Sequence, residues 1–356
     1  MSTMRDEIRQ QPETLERTLK EEWVHARSLR QHFERNPPRL IVLAARGTSD
    51  NAAQFGRYLL EITTGIPVSL AAPSVFTLYR AKVQLKDTVV VAISQSGEST
   101  DTNLVLEEAR AAGAFTIGIT NESESALAHL AEHALLVRAG KERSVAATKT
   151  YTGQLLCFYL LAHALGAAIE LSDLQRVSEW TADALLLEEK IRTRAERYCF
   201  MQHAICVGRG LNYSNSFEFA LKLMETCYVV AERFSPADLL HGPIAMLERS
   251  FPAFLFCPPG VTWKPMCELL AKLQSIGAET LAITDRSNPH VGGAEGLTEE
   301  PLTIPAEIGR AGTLPEEIYT PIPYIIPGQL FAASLAEVKR LDADRPRTLS
   351  KVTQTL

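Results

Sequence analysis

Between Val89 and Thr102 the chain reads V-V-V-A-I-S-Q-S-G-E-S-T-D-T. Five apolar, mostly β-branched residues run straight into a segment of serines, threonines and one glycine. Asn103–Ala112 then carries a helical pattern. A strand without polar alternation is covered on both faces, and one that feeds a helix is half of a parallel crossover, so the fold class is α/β. The junction gathers serine hydroxyls, unpaired backbone N–H groups and the positive end of a helix at one point, which suits an anion such as phosphate. It lacks the G-x-x-x-x-G-K-[ST] spacing of a nucleoside-triphosphate loop. The competing reading is an ordinary serine-capped strand–helix turn.

Strand–helix alternation extends on both sides. Residues 12–35 read as one helix, with Pro12 in its first turn and Pro37-Pro38 closing it. Strands are expected at 39–45, 66–71, 88–93, 115–120 and 134–137, with helices at 47–60, 103–112, 123–132 and 147–165. Residues 171–200 read as a charged helical connector. The pattern then restarts with strands at 203–207, 251–257 and 279–284 and helices at 216–229, 265–277 and 328–340. Leu40–Ser49 and Ala204–Tyr213 both run from a strand through a glycine turn, which points to an internal duplication. Phe251–Cys257 runs instead into Pro-Pro-Gly, so one anion site per chain is expected.

The 356 residues suggest two domains at ~150 residues each. The expected division is an N-terminal helical segment at 1–36, domains at 37–170 and 201–340 joined by the connector, and a tail at 341–356. A net charge of −6 without a basic cluster argues against a nucleic-acid partner. Residues 1–7 are charged and do not read as a signal peptide. The longest apolar run, 155–168, is short of the ~20 residues of a membrane span. Six cysteines without C-x-x-C spacing read as reduced thiols, and a cytoplasmic protein is expected.

Four further places could carry chemistry. Gly208-Arg-Gly210 lacks the third glycine of a dinucleotide fingerprint, so a nicotinamide cofactor is not expected. Glu218, Lys222 and Glu225 fall at i, i+4 and i+7 of one helix. They read either as a solvated ladder worth ~0.2–0.5 kcal/mol per pair or as a partly buried carboxylate beside a lysine, suited to moving a proton next to a carbonyl. His241 stands in Leu240-His-Gly-Pro243, as a positioned acid–base group or as a plain loop histidine; His290 lies in a polar loop. Lys351 matters only if the tail folds back over a carbonyl substrate.

Taken in order, Arg46-Gly-Thr-Ser49, Ser94-Gln-Ser-Gly-Glu-Ser99, Val145-Ala-Ala-Thr-Lys149, Glu218–Glu225, Leu240–Pro243 and Pro346–Lys351 resemble the sugar-isomerase (SIS) family. They are most similar to the isomerase half of glutamine-dependent glucosamine-6-phosphate synthases. The resemblance implies two tandem SIS domains, each a parallel sheet flanked by helices in a flavodoxin-like or Rossmann-like three-layer sandwich. It implies that Ser94, Gln95, Ser96 and Ser99 hold a sugar phosphate, with Thr48 and Ser49 beside them. Val145, Ala147 and Ser350 complete the substrate set, although Ala147 stands where such synthases usually carry a sugar-contacting serine. Glu225 would move a proton between C1 and C2, His241 would open the sugar ring, Lys351 would engage the open-chain carbonyl, and Lys222 would assist. The histidine often comes from a neighbouring subunit, so a homodimer is implied; no metal or redox cofactor is. The chain starts at the isomerase linker with no glutaminase segment, so an isomerase that releases ammonia from glucosamine 6-phosphate is expected. A fructosamine-phosphate deglycase or another phosphosugar isomerase, and a non-catalytic sugar-phosphate sensor, are the alternatives.

Overall fold

Each apolar run expected as a core strand forms one, and all of them pair in parallel. The computed structural model describes residues 2–289, 300–309 and 312–351; His290 lies outside them. The chain divides into two compact units. A first-sheet unit holds Gln10–Glu142, Ala147–Gln175 and the tail from Leu349. A second-sheet unit holds the N-terminal residues to Arg9, Arg143–Ala146 and Arg176–Thr348.

In chain order the elements up to the end of the first half are α1 (Thr3–Arg9), α2 (Gln11–Arg35), β1 (Ile41–Ala44), α3 (Thr48–Thr64), β2 (Val68–Leu70), α4 (Pro73–Thr77), β3 (Val89–Ile93), α5 (Thr100–Ala111), β4 (Phe115–Thr120), α6 (Ala126–Leu130), β5 (His133–Leu136) and α7 (Lys149–Ala164). Of these, α1 belongs to the second-sheet unit. The first sheet has the order β2-β1-β3-β4-β5. Ala44 pairs with Ala92 and Ile93 with Ile119, so β1, β3 and β4 end at nearly one level. An open parallel sheet of this order takes its ligand beyond the carboxyl ends of its strands, where the order reverses beside the first strand. The helix α7 is buried on every side and packs on α2 and α3, as expected for a helix that is apolar all round.

The second half continues with α8 (Leu171–Leu185), α9 (Glu188–Glu196), β6 (His203–Val207), α10 (Tyr213–Cys227), β7 (Val230–Phe234), α11 (Pro236–Leu240), β8 (Pro252–Phe256), α12 (Trp263–Ile276), β9 (Glu279–Asp285), β10 (Leu302–Ile304) and α13 (Pro321–Val338). Its sheet order is β10-β9-β8-β6-β7, and every pair is parallel. Here β6 lies between β7 and β8 as β1 lies between β2 and β3, so both sheets follow the same path.

Two expectations need correction, and two elements were not expected at all. The last helix starts at Pro321, not residue 328. Pro321 and Pro323 sit in its first turn, where no N–H partner is lost, and Pro327 is carried inside a fully buried helix packed on α9 and α10. The helix expected over 123–132 contracts to five residues, opened by Ser125, whose hydroxyl accepts from the Ala128 N–H. Strand β7 and helix α11 went unread, because a half-exposed strand and a one-turn helix leave little periodicity.

Candidate functional site

In the first-sheet unit, β3 ends at the buried Ser94, whose hydroxyl accepts from the Gly97 N–H at 3.1 Å. Ser96 Oγ accepts from the Glu98 N–H, and Ser99 Oγ lies 3.0 Å from Thr102 Oγ1. Neighbours pin the loop: Asn103 Nδ2 and the Leu127 N–H both donate to Gly97 O, and the Asn121 N–H donates to Gln95 O. Gly97 has φ +68°, and a Cβ there would come within 2.1 Å of Ser125 Oγ. Only glycine fits this turn. Gln95, Ser96 and Ser99 are half-buried, so their polar groups remain within reach of a ligand at the start of α5.

The loop after β1 lies next to it. Gly47, at φ +57°, opens α3, with Thr48 half-buried and Ser49 buried. Ser49 Oγ accepts from Gln154 Nε2 at 2.9 Å, so α7 fixes it. Arg46 donates twice to Asp101 Oδ2, from Nε at 3.1 Å and Nη2 at 2.7 Å.

The tail lysine belongs to the same unit. Lys351 Nζ lies 3.0 Å from Glu142 Oε2, whose side chain is fully buried. Glu142 also accepts from the N–H groups of Thr148 and Thr150 and from Thr150 Oγ1. Burial acts to raise the Glu142 carboxyl, but Lys351 and these donors outweigh it and hold it below the usual range. Glu142 went unnoticed in the sequence because Lys141-Glu-Arg143 reads as a solvated charge run; the only signal was its place just before Thr148 and Thr150 at a helix start. Ala147 is half-buried and Ser350 exposed.

The second-sheet unit carries the α10 stripe. Lys222 is fully buried, with Nζ 2.7 Å from Glu225 Oε2 and 3.3 Å from Glu218 Oε1. Glu218 is fully buried as well, whereas the Glu225 side chain keeps 22% exposure. This is no solvated ladder. Burial disfavours the Lys222 ammonium, but the two carboxylates outweigh it and lift the group above the usual lysine range. Glu225 is thus a reachable carboxylate backed by a fixed positive charge. At the end of α10, Tyr228 takes a left-handed cap conformation, its hydroxyl accepts from the Arg347 N–H at 2.9 Å, and the Arg347 guanidinium lies 4.0 Å from its ring centre. Asp344 accepts from Ser2 Oγ and from the Thr3 and Met4 N–H groups, and its carbonyl accepts from the Val145 N–H. Residues 344–348 are therefore anchored rather than frayed.

His241 follows α11, which Ser235 caps. It is exposed, as are Leu240, Gly242 and Met246 around it. The loop after β8, in the topological place of the serine loop, holds a carboxylate of its own. Glu317 Oε2 lies where a Cβ on Gly260 would come within 2.2 Å of it, and the side chain is buried without a partner for that oxygen. Burial pushes the Glu317 carboxyl up, against the Val261 and Thr262 N–H groups that favour its charge. Among the described residues, no cluster of three or more His, Cys, Asp or Glu side chains could hold a metal ion, and no helix is long and apolar enough to cross a membrane.

Two parallel sheets of flavodoxin-like order, with a hydroxyl-lined loop at the carboxyl end of β3, define a tandem α/β protein of the sugar-isomerase class. The chain belongs to the SIS domain family, whose model matches residues 36–164 and 201–294. It is 33% identical over 317 residues to glutamine–fructose-6-phosphate aminotransferase (isomerizing) of Pyrococcus horikoshii, covering 87% of this chain and 51% of that protein. The corresponding protein of Aquifex aeolicus is 32% identical over 350 residues, covering 98% and 57%. The chain thus spans about half the length of the curated relatives it matches. Among solved structures, the C-terminal domain of glucosamine-fructose-6-phosphate aminotransferase from Francisella tularensis superposes with a TM-score of 0.86 at 25% identity, over 97% of this chain and 98% of that one.

Proposed function

We propose that the chain is a phosphosugar aldose–ketose isomerase that converts glucosamine 6-phosphate and water to fructose 6-phosphate and ammonia. The observation that carries this reading is Glu225: a partly exposed carboxylate held 2.7 Å from a buried ammonium on the same helix. Proton transfer between adjacent carbons of an opened sugar asks for such a group, because the carbonyl acidifies the neighbouring C–H and one carboxylate can take the proton and return it. The proton leaves C2 and is returned to C1 while one amine proton passes to the C1 oxygen, which turns the C1 aldehyde and C2 amine into a C1 alcohol and a C2 imine. Water adds to the imine, the C2–N bond breaks, and ammonia departs. Deamination is isomerisation followed by imine hydrolysis, so one set of residues serves both.

The phosphate sits on Ser94, Gln95, Ser96 and Ser99 with Thr48 and Ser49 beside it, and binding energy from this remote group holds the reacting carbons in place. Val145, Ala147 and Ser350 contact the sugar. Lys351, steered by Glu142, engages the open-chain carbonyl, and Lys222, 2.7 Å from Glu225, assists near the amino or carbonyl end. His241 opens the ring. Its exposed loop, with Leu240 and Met246 also exposed, favours its delivery by a second copy of the chain and hence a homodimer. All six cysteines are free thiols, four of them buried, which suits a reducing cytoplasm.

The test is incubation of the full chain with glucosamine 6-phosphate in deuterated water, with ammonia and fructose 6-phosphate assayed together. Stoichiometric release of both is expected, with Glu225→Gln lowering turnover about a thousandfold while fructose 6-phosphate still binds. A folded wild type that yields no ammonia overturns the reading.

A further inference from the structure

The serine loop offers a phosphate only neutral donors, and the carboxylates beside it work against a dianion. Asp101 lies in the first turn of α5, two residues beyond Ser99, and Asp50 lies in the first turn of α3. Each suits its helix dipole, yet each would repel an anion brought to the strand ends.

Arg46 answers both. Ala44 and Ala92 pair across the ladder, and Arg46 and Ser94 each follow two residues later, so they leave neighbouring strands side by side. From there the Arg46 side chain reaches the first turn of α5, the helix whose N-terminus closes the serine loop. Nε and Nη2 both bond Asp101 Oδ2, while Nη1 takes part in neither bond. The side chain keeps 48% exposure against 3% for Asp101. Asp101 Oδ1 is buried with no partner, so Arg46 supplies the hydrogen bonds that this carboxylate has. A guanidinium anchored on one edge and open on the other suits a phosphate monoester, which takes its oxygens as a fork.

We propose that Arg46, anchored by Asp101, is the cationic clamp of the phosphate site and makes the loop select phosphorylated over free sugars. The proposal rests on the placement of the phosphate at Ser94–Ser99 given above.

The experiment is calorimetric titration of the full chain with inorganic phosphate and with fructose 6-phosphate at fixed ionic strength, paired with steady-state turnover of glucosamine 6-phosphate. Arg46→Met is expected to weaken both ligands about tenfold or more and to raise KM in parallel, with kcat within about threefold. Arg46→Lys restores part of the loss, as a point charge without the fork. Asp101→Asn keeps the positive charge and leaves an amide oxygen to accept from Arg46 while removing a repelling charge, so phosphate binds at least as tightly. The double variant R46M/D101N, which leaves no buried charge unpaired, repeats the loss of R46M. Full-strength binding by R46M overturns the clamp alone. Equal losses in R46M and D101N mark a pair that only holds the fold, and overturn it too. A wild type that binds neither ligand overturns the reading of the loop itself, and the clamp with it.

Discussion

Lys351 Nζ lies 3.0 Å from Glu142 Oε2, so the last described residue of the tail is tied to a fully buried carboxylate at the start of α7. Glu142 has its carboxyl lowered, so its stabilising contribution is fully present above the ordinary value of 4.5 and is lost as pH falls through the lower, folded value. Lys351→Met removes the charge that does most to depress it. Lys351 keeps a quarter of its side-chain exposure, so the loss at neutral pH is expected to be modest, about 1 kcal/mol. The acid-unfolding midpoint moves up in pH. Far-UV circular dichroism between pH 2 and 7 reads the shift, and an unmoved midpoint would show that the contact does not persist in solution.

Gly56 of α3 faces Phe158 of α7, and a Cβ on the glycine would fall 2.3 Å from the ring. Both helices are buried at this crossing and Phe158 has no exposed surface, so the ring has nowhere to retreat. Gly56→Ala gains helix propensity worth ~1 kcal/mol but overpacks the crossing by ~1–3 kcal/mol or more. The net is destabilisation, read as a lower urea midpoint at unchanged m-value. A midpoint at or above wild type would mean that the two helices can separate at little cost.

How far the sequence could be read follows from what each signal depends on. Val89–Ile93, Phe115–Thr120 and His203–Val207 were legible because a strand buried on both faces must be continuously apolar, and no partner is needed to see that. Pro321–Val338 was misread because its prolines are tolerated only through the packing around it, which no local pattern reports. The serine loop, the α10 stripe and the tail lysine were visible as motifs, but their environments were not. Whether Glu218 and Lys222 faced water was open until their burial was seen. Glu142 and Asp101 stayed hidden, since the cation paired with each comes from a distant point in the chain.

The three charges of α10 should behave as one unit. Lys222→Met removes the buried ammonium 3.3 Å from Glu218, which has no exposure, and 2.7 Å from Glu225. Breaking a buried pair on one side is expected to cost ~3–5 kcal/mol. The double variant K222M/E218Q leaves α10 without a fully buried charge and recovers much of that loss. Lys222 has its ionisation raised, so its own contribution is fully present below the ordinary lysine value of 10.5 and fades only as pH rises through the folded value. Urea unfolding at pH 7 of both single variants and the double gives the coupling. Additive losses would refute a shared ion network.

Glu317 should show the opposite pH dependence to Glu142. Its carboxyl is raised by burial, so the folded chain holds the proton more tightly than the unfolded one. Stability from this group is fully present below the ordinary value of 4.5 and declines as pH rises through the folded value. Glu317→Gln removes that decline. The amide can keep its oxygen toward the Val261 and Thr262 N–H groups and turn its NH2 toward Thr262 Oγ1, a buried hydroxyl beside it that can accept. E317Q is therefore expected to match wild type near pH 4.5 and to exceed it by about 1 kcal/mol at pH 7. Urea unfolding at three pH values between these limits measures the difference. A constant offset across that range would mean that the carboxylate against Gly260 is already well solvated when charged.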